Sequence, residues 1–218
     1  MTDLVQLCKD VEAFETPRWA VEAILDRELM TCRVLDPCAG TGVLAHECEK
    51  RGYAVTAIDK VDWSKVIPDA MRPGPIGCRD FFDLTELPAN LSVIMNPPFS
   101  LAEAFVDKAR DLGARKITCF QRQAWRESIG RRAWWEANPP ARVWVCGGRA
   151  TCWRFDLLEC QHKDIGECPN LKRRGKKLET QGCAICLGGV PTSHAWYVWE
   201  RGHKGAEVTS AIYPPEAA

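Results

Sequence analysis

The chain has no surplus of charge: 29 Lys and Arg stand against 29 Asp and Glu, a formal net charge of +0. That excludes a globally basic nucleic-acid-binding protein, so any polynucleotide contact has to come from a local patch. The sequence also lacks an apolar run of membrane-spanning length. Its first residues, Met1-Thr2-Asp3-Leu4-Val5, lack the basic-then-apolar pattern of a secretion signal. The expectation is a cytoplasmic protein with no membrane partner. No internal repeat is visible, which excludes solenoids and propellers. A length of 218 residues suits a single domain, residues 1–218, with room for an insertion.

What is present begins with an adequate core: 46% of residues are hydrophobic. Twelve cysteines are many for a cytoplasmic chain. Disulfide scaffolds, the usual reason for such a number, are short and lack this much apolar helix and strand. Cys38, Cys48, Cys78 and Cys119 sit in apolar segments and read as small buried hydrophobes.

Helix and strand signals alternate along the chain. Thr16-Pro17 reads as a capped helix start, with Val21, Ile24, Leu25 and Leu29 on one face. Arg33–Asp36 reads as a strand, followed by a glycine turn and a helix through Leu44, Ala45 and Cys48. Strands are expected at Tyr53–Ile58 and Ile76–Cys78, then at Leu91–Met95. Ser100 and Glu103 have capping-box spacing before a helix carrying Phe105, Ala109 and Leu112. A strand at 116–120, a helix over about 124–137 and strands at 141–146 and 195–200 complete the pattern. The fold class is therefore α/β, a mostly parallel sheet with helices on both faces. Residues 152–190 break the rhythm, being polar and rich in Cys, Gly and Lys, and read as a Cys-rich insertion.

Chemistry concentrates at strand ends. Leu91–Met95 delivers Asn96-Pro97-Pro98-Phe99. Proline has no N–H, and the residue before it is pushed away from helix. Carbonyl oxygens there are available to an external donor, which suits an –NH2 group on a substrate. Asp36-Pro37-Cys38-Ala39-Gly40-Thr41-Gly42 lies between a strand and a helix, where glycines allow close backbone approach to a ligand. Asp59 ends the next strand, 23 residues after Asp36, a place where carboxylates take ribose hydroxyls. The loop by itself would equally suit a nicotinamide or flavin protein. Asp80-Phe81 adds a carboxylate for an adenine amine and an apolar contact for its ring.

In this order and at these spacings the chain resembles the class I S-adenosylmethionine-dependent methyltransferases, which have a Rossmann-like fold. More narrowly it resembles the amino-methyltransferases whose glycine motif reads Asp-Pro-x-x-Gly-x-Gly, with Cys38 standing at that motif's first glycine position. Phe14-Glu15-Thr16-Pro17 is similar to the stretch that precedes the loop in gamma-order DNA adenine-N6 methyltransferases and packs on the cofactor's methionine end. The resemblance covers roughly residues 14–146 and resumes at His194–Trp199, similar to small phage-type enzymes. It implies S-adenosylmethionine as cofactor, held by Phe14, Thr16, Pro17, Asp36, Cys38, Gly40, Gly42, Asp59, Asp80, Phe81 and Asn96. It implies methyl transfer to adenine in DNA, with RNA as the alternative substrate and a glutamine side chain as a third. Asn96, Pro97, Pro98 and Phe99 are the implied catalytic residues: the Asn96 side-chain oxygen and the Pro97 carbonyl would each accept one amine hydrogen, and Phe99 would stack on a flipped-out base.

Two further patterns concern partners. Arg and Trp residues mingle between Arg110 and Trp135; Arg122 and Trp125, just after a strand end, are the candidate DNA contacts. Inside the insertion, Cys183-Ala-Ile-Cys186 has the spacing of half a zinc site, and Cys160 and Cys168 (or His162 or Cys152) could complete it. Free thiols are the competing reading. The basic run containing Lys172, Arg173 and Arg174 is either a DNA-contacting element ordered by that metal or a solvated loop.

Overall fold

The computed structural model describes residues 4–65, 74–148, 150–155, 171–174, 177–180 and 192–214. In chain order these form α1 (Leu4–Asp10), β1 (Phe14–Glu15), α2 (Arg18–Leu25), β2 (Arg33–Asp36), α3 (Val43–Lys50) and β3 (Ala54–Asp59). Next come β4 (Gly77–Cys78), β5 (Leu91–Met95), α4 (Ala102–Asp111), β6 (Lys116–Arg122), α5 (Arg132–Ala137) and β7 (Arg142–Cys146). The chain closes with β8 (Trp153–Arg154), β9 (Leu171–Arg174), β10 (Lys177–Thr180), β11 (His194–Glu200) and β12 (Val208–Ile212).

Eight strands form one sheet in the order β12-β7-β11-β6-β5-β2-β3-β4. Every neighbouring pair is parallel except those of β11, which runs against both β6 and β7. The central strands are apolar on both faces because both faces are covered. Val93, Met95, Ile117, Cys119 and Tyr197 point into a core shared with Phe105, Val106, Trp125 and Trp135. Ile94, Phe120 and Trp196 point the other way, toward Ala20, Val21, Ile24 and Leu44. Each large side chain so buried contributes roughly 1.5–3 kcal/mol relative to exposure. No helix among the described residues is long and apolar enough to cross a membrane.

Local expectations changed where a longer-range contact offered more. Thr16 does not cap α2: Pro17 holds the N-cap place without a side-chain bond, and the Thr16 hydroxyl turns to Asn96. The Ser100–Glu103 capping box does not form either. The helix starts one turn position later, Ser100 donates from its N–H and hydroxyl to Glu12, and Glu103 pairs with Arg131. Leu29 lies beyond α2 and is 81% exposed. The helix expected over 124–137 is two 3₁₀ turns, Gln123–Glu127 and Ile129–Arg131, followed by the short α5. Ser128 between the turns is extended, at ψ 122°, which interrupts the helix. The α1 helix, β12 and the two-stranded pairing of β1 with β8 have no counterpart in the sequence reading.

Candidate active site

Parallel strands all present their C-terminal ends at one edge, and there β2, β3, β5 and β6 deliver Asp36, Asp59, Asn96 and Arg122. Because β11 is reversed, its first residue, His194, lies at the same edge, paired with Arg122. A cavity of ≈ 300 Å³ opens beside this edge, in the size range of small-molecule sites. Its walls include Phe14, Cys38, Gly40, Asp59, Asp80, Phe81, Asn96 and Pro98. A wider cleft between the end of α4 and the β11–β12 turn contains none of these residues.

The Asn96 amide is oriented by its neighbours. Nδ2 donates to Phe14 O at 3.1 Å and to Thr16 Oγ1 at 2.9 Å. A backbone oxygen can only accept, so it is the nitrogen that faces Phe14, and Oδ1 is left as an acceptor for something else. Pro97 O is less open than the sequence reading assumed. It already accepts from Gln121 Nε2 at 3.0 Å, so only its second lone pair remains for a substrate. Pro98 O accepts from Leu101 N–H at 2.9 Å, closing the turn into α4. Gln121, 1% exposed, has no counterpart among the expected site residues; its one signal is an amide side chain next to the end of β6.

In the glycine loop, Gly40 and Gly42 have φ of +54° and +90°, backbone that favours glycine. Gly40 N–H donates to Asp59 Oδ2 at 2.9 Å, and Val61 N–H donates to Oδ1 at 2.8 Å. Burial raises the Asp59 pKa, partly offset by those two donors. Burial pushes the Asp36 carboxyl further, up to about 8, against a weak opposing bond from Cys38 N–H; Asp36 Oδ2 has no partner among the described residues. Burial also holds the Cys38 thiol neutral, with the charge of Asp36 acting in the same direction. Thr41 donates to Glu15 at 2.7 Å, and the burial of Glu15 raises its pKa.

The close approach that Gly40 permits is made by a side chain of the protein itself. A Cβ on Gly40 would fall 2.4 Å from Cζ of Phe155, whose ring also meets Trp63 edge-on with centroids 4.8 Å apart. Phe155 arrives through the β1–β8 pairing and its N–H bonds Ala13 O. Phe155 falls within the segment 152–190 that the sequence marks as an insertion. Asp80 accepts from Phe82 N–H at 2.9 Å and so caps a 3₁₀ turn, with its carboxylate on the cavity wall. Phe81 stacks on Phe105 and is both core and wall.

Beyond the tetrapeptide, Phe99 has Phe14 at 5.7 Å between centroids and the Arg122 guanidinium 4.2 Å from its ring centre. Trp125 is not a surface contact. It is 4% exposed inside a cluster with Trp134, Trp135 and Tyr197, so it cannot stack on a base. The backbone of Lys172, Arg173 and Arg174 forms β9, which among the described residues pairs with β10. Cys160, His162, Cys168, Cys183 and Cys186 lie outside the described residues. Among the described residues no group of three or more His, Cys, Asp or Glu could hold a metal ion.

No family model matches the sequence, and no curated protein does. Solved structures do. A Thermoplasma acidophilum protein superposes with a TM-score of 0.50 at 19% identity, covering 85% of this chain and 88% of its own. The 23S rRNA methyltransferase ErmE gives 0.49 at 14% identity, over 88% of this chain and 72% of ErmE. An S-adenosylmethionine-dependent O-methyltransferase from Thermotoga maritima gives 0.46 at 11%, over 93% and 73%. These identities speak to architecture alone. The chain has an α/β Rossmann-like architecture with a mostly parallel sheet, the fold it shares with the Thermoplasma acidophilum protein.

Proposed function

We propose that this chain, as a single methyltransferase unit carrying an inserted segment, transfers a methyl group from S-adenosylmethionine to the exocyclic amine of adenine in DNA. The observation that carries the reading is the Asn96 amide. With both Nδ2 hydrogens committed to Phe14 and Thr16, Oδ1 is held ready to accept a hydrogen from an amine. The second lone pair of Pro97 O is the other acceptor. Two acceptors aimed at one –NH2 group draw its nitrogen toward a pyramidal shape and turn its lone pair out of the ring. No strong base is required before attack, because the methylated amine is acidic and gives its proton to water.

The donor fits the wall next to Asn96. Gly40 stands on that wall beside the Phe155 ring, Asp59 offers a carboxylate for the sugar, and Asp80 with Phe81 suits an adenine ring. When bound there, S-adenosylmethionine supplies an electrophilic methyl on a sulfonium. Phe14 then serves both sides of the reaction, lining the cavity and, with Thr16, fixing Asn96. Phe99 supplies an aromatic face for a base removed from its stack.

The test is to incubate the protein with labelled S-adenosylmethionine and duplex DNA, structured RNA or protein, using wild type and Asn96→Ala. The expected result is label in DNA adenine. In Asn96→Ala, kcat should fall by roughly 10²–10³ with cofactor affinity little changed. Label confined to RNA would reject the DNA assignment, and label confined to protein would reject adenine. Nucleic-acid binding without any transfer would reject the enzyme.

A further inference from the structure

Arg122 ends β6 at the edge that carries the tetrapeptide, and its guanidinium carbon lies 4.2 Å from the centre of the Phe99 ring. A flat cation therefore rests on the aromatic ring that a flipped base would use. Arg122 is exposed and has no ion pair among the described residues. His194 beside it plays no such part. It is buried, its ring lies parallel to Phe120 at 5.0 Å, and burial together with the charge of Arg122 lowers its pKa to about 4, so it stays neutral. Once off the ring, the guanidinium's planar fork of donors is free to take a phosphate oxygen pair. A base entering on a polynucleotide brings one, since each nucleotide carries a phosphate.

We propose that Arg122 occupies the face of Phe99 in the empty enzyme, yields it to the target base, and then holds the phosphodiester of that nucleotide. The proposal rests on the methyltransferase reading above and deepens it. The site would select a base carried on a phosphodiester strand over a free nucleoside or a carboxamide, because only the strand rewards the displaced cation. A lysine could supply the charge but not the flat cover.

The experiment measures binding of a fluorescently labelled, adenine-containing single-stranded oligodeoxynucleotide across a salt series, for wild type, Arg122→Ala and Arg122→Lys. Affinity for 2′-deoxyadenosine is measured by equilibrium dialysis. In Arg122→Ala the oligonucleotide affinity should fall about tenfold, and the slope of log K against log salt should flatten by about 0.7, one phosphate contact on a single strand. Affinity for 2′-deoxyadenosine should hold or improve, the ring being uncovered. Arg122→Lys should keep the salt slope. Equal slopes in wild type and Arg122→Ala overturn the proposal. So does an equal loss for oligonucleotide and nucleoside, or a wild type that binds no oligonucleotide. These slopes are read without methyl transfer. A protein that shows them yet transfers no methyl group rejects the enzyme reading while supporting the role of Arg122. The same series on RNA of matching sequence separates the two strand types: a slope change on RNA alone supports the Arg122 role and moves the substrate from DNA to RNA.

Discussion

The Asn96 carboxamide spends its hydrogens on residues some eighty positions away, Phe14 and Thr16, and this makes its oxygen a dedicated acceptor. Gln121 does the complementary work on Pro97 O, from within β6. Replacing it by Leu keeps the volume and removes the donor, leaving a buried carbonyl with one partner fewer. We expect Gln121→Leu to lose about 1–3 kcal/mol of stability, measured by urea unfolding. It should also lower kcat about tenfold with unchanged cofactor affinity, because Pro97 O loses its fixed direction. A rise in KM for the cofactor, or weaker cofactor binding, with kcat intact would show that Gln121 supports the donor side and not the acceptor. At this scale Asn96, Asp59 and the glycines were legible, since each sits where a strand or turn ends. Gln121 was not, because a lone glutamine in a strand carries no mark of the carbonyl that it meets.

The short stretch 12–16 joins the two halves of the site. Glu12 holds Ser100, Phe14 and Thr16 hold Asn96, and Glu15 takes the Thr41 hydroxyl of the glycine loop. On its other side it pairs with β8, which brings Phe155 onto Gly40. Gly40→Ala should therefore carry two costs. One is the left-handed backbone at φ +54°, about 1–2 kcal/mol for a residue with a side chain. The other is the overlap with the Phe155 ring. Phe155→Ala has a cost of its own, since the ring is buried against Trp63, so the comparison is a double-mutant cycle: the Tm loss from Gly40→Ala should be smaller on the Phe155→Ala background than in the wild type. Equal losses on the two backgrounds would show that the ring does not rest on Gly40 in solution. Sequence signals placed the helices and strands around this stretch well but missed its pairing. Two-residue strands have no periodicity, and Thr16 and Ser100, read as caps, found stronger partners across the molecule.

At the scale of the whole molecule, the opposite end of the sheet is tied by a buried charge cluster. Glu28, 2% exposed, accepts from Lys116 at the start of β6, and from Arg142 and Trp144 on β7; Arg142 also holds Glu200 at the end of β11. Burial works to raise the Glu28 pKa, but the bonds from Arg142, Lys116 and Trp144 outweigh it and the net shift is downward. A carboxyl with a lowered pKa stabilises the fold above its unfolded value of 4.5, and that contribution is lost as pH falls through the lower folded value. Glu28→Gln leaves Lys116 buried without its counter-charge and should cost about 3–5 kcal/mol at neutral pH. Below the folded pKa the wild type should approach the variant, seen as converging denaturation midpoints on acidification. Parallel pH profiles would remove Glu28 from the account. Activity should survive at temperatures where the variant is folded, since the cluster lies at the far edge from Asn96.

The sequence by itself determined the α/β class, the strand ends that carry Asp36, Asp59 and Asn96, and the resemblance of that pattern to the motifs of methyltransferases. These are short-range facts: glycines at tight turns, proline without an N–H, alternation of apolar segments. Only the tertiary structure decided that Trp125 belongs to the core, that Pro97 O is already engaged, and that Arg122 covers Phe99. Each of these depends on which strands become neighbours. The reversal of β11 beside β6 places His194 and Arg122 together at the edge that β5 shares, and sheet order is a property of the closed core and not of any local run of residues.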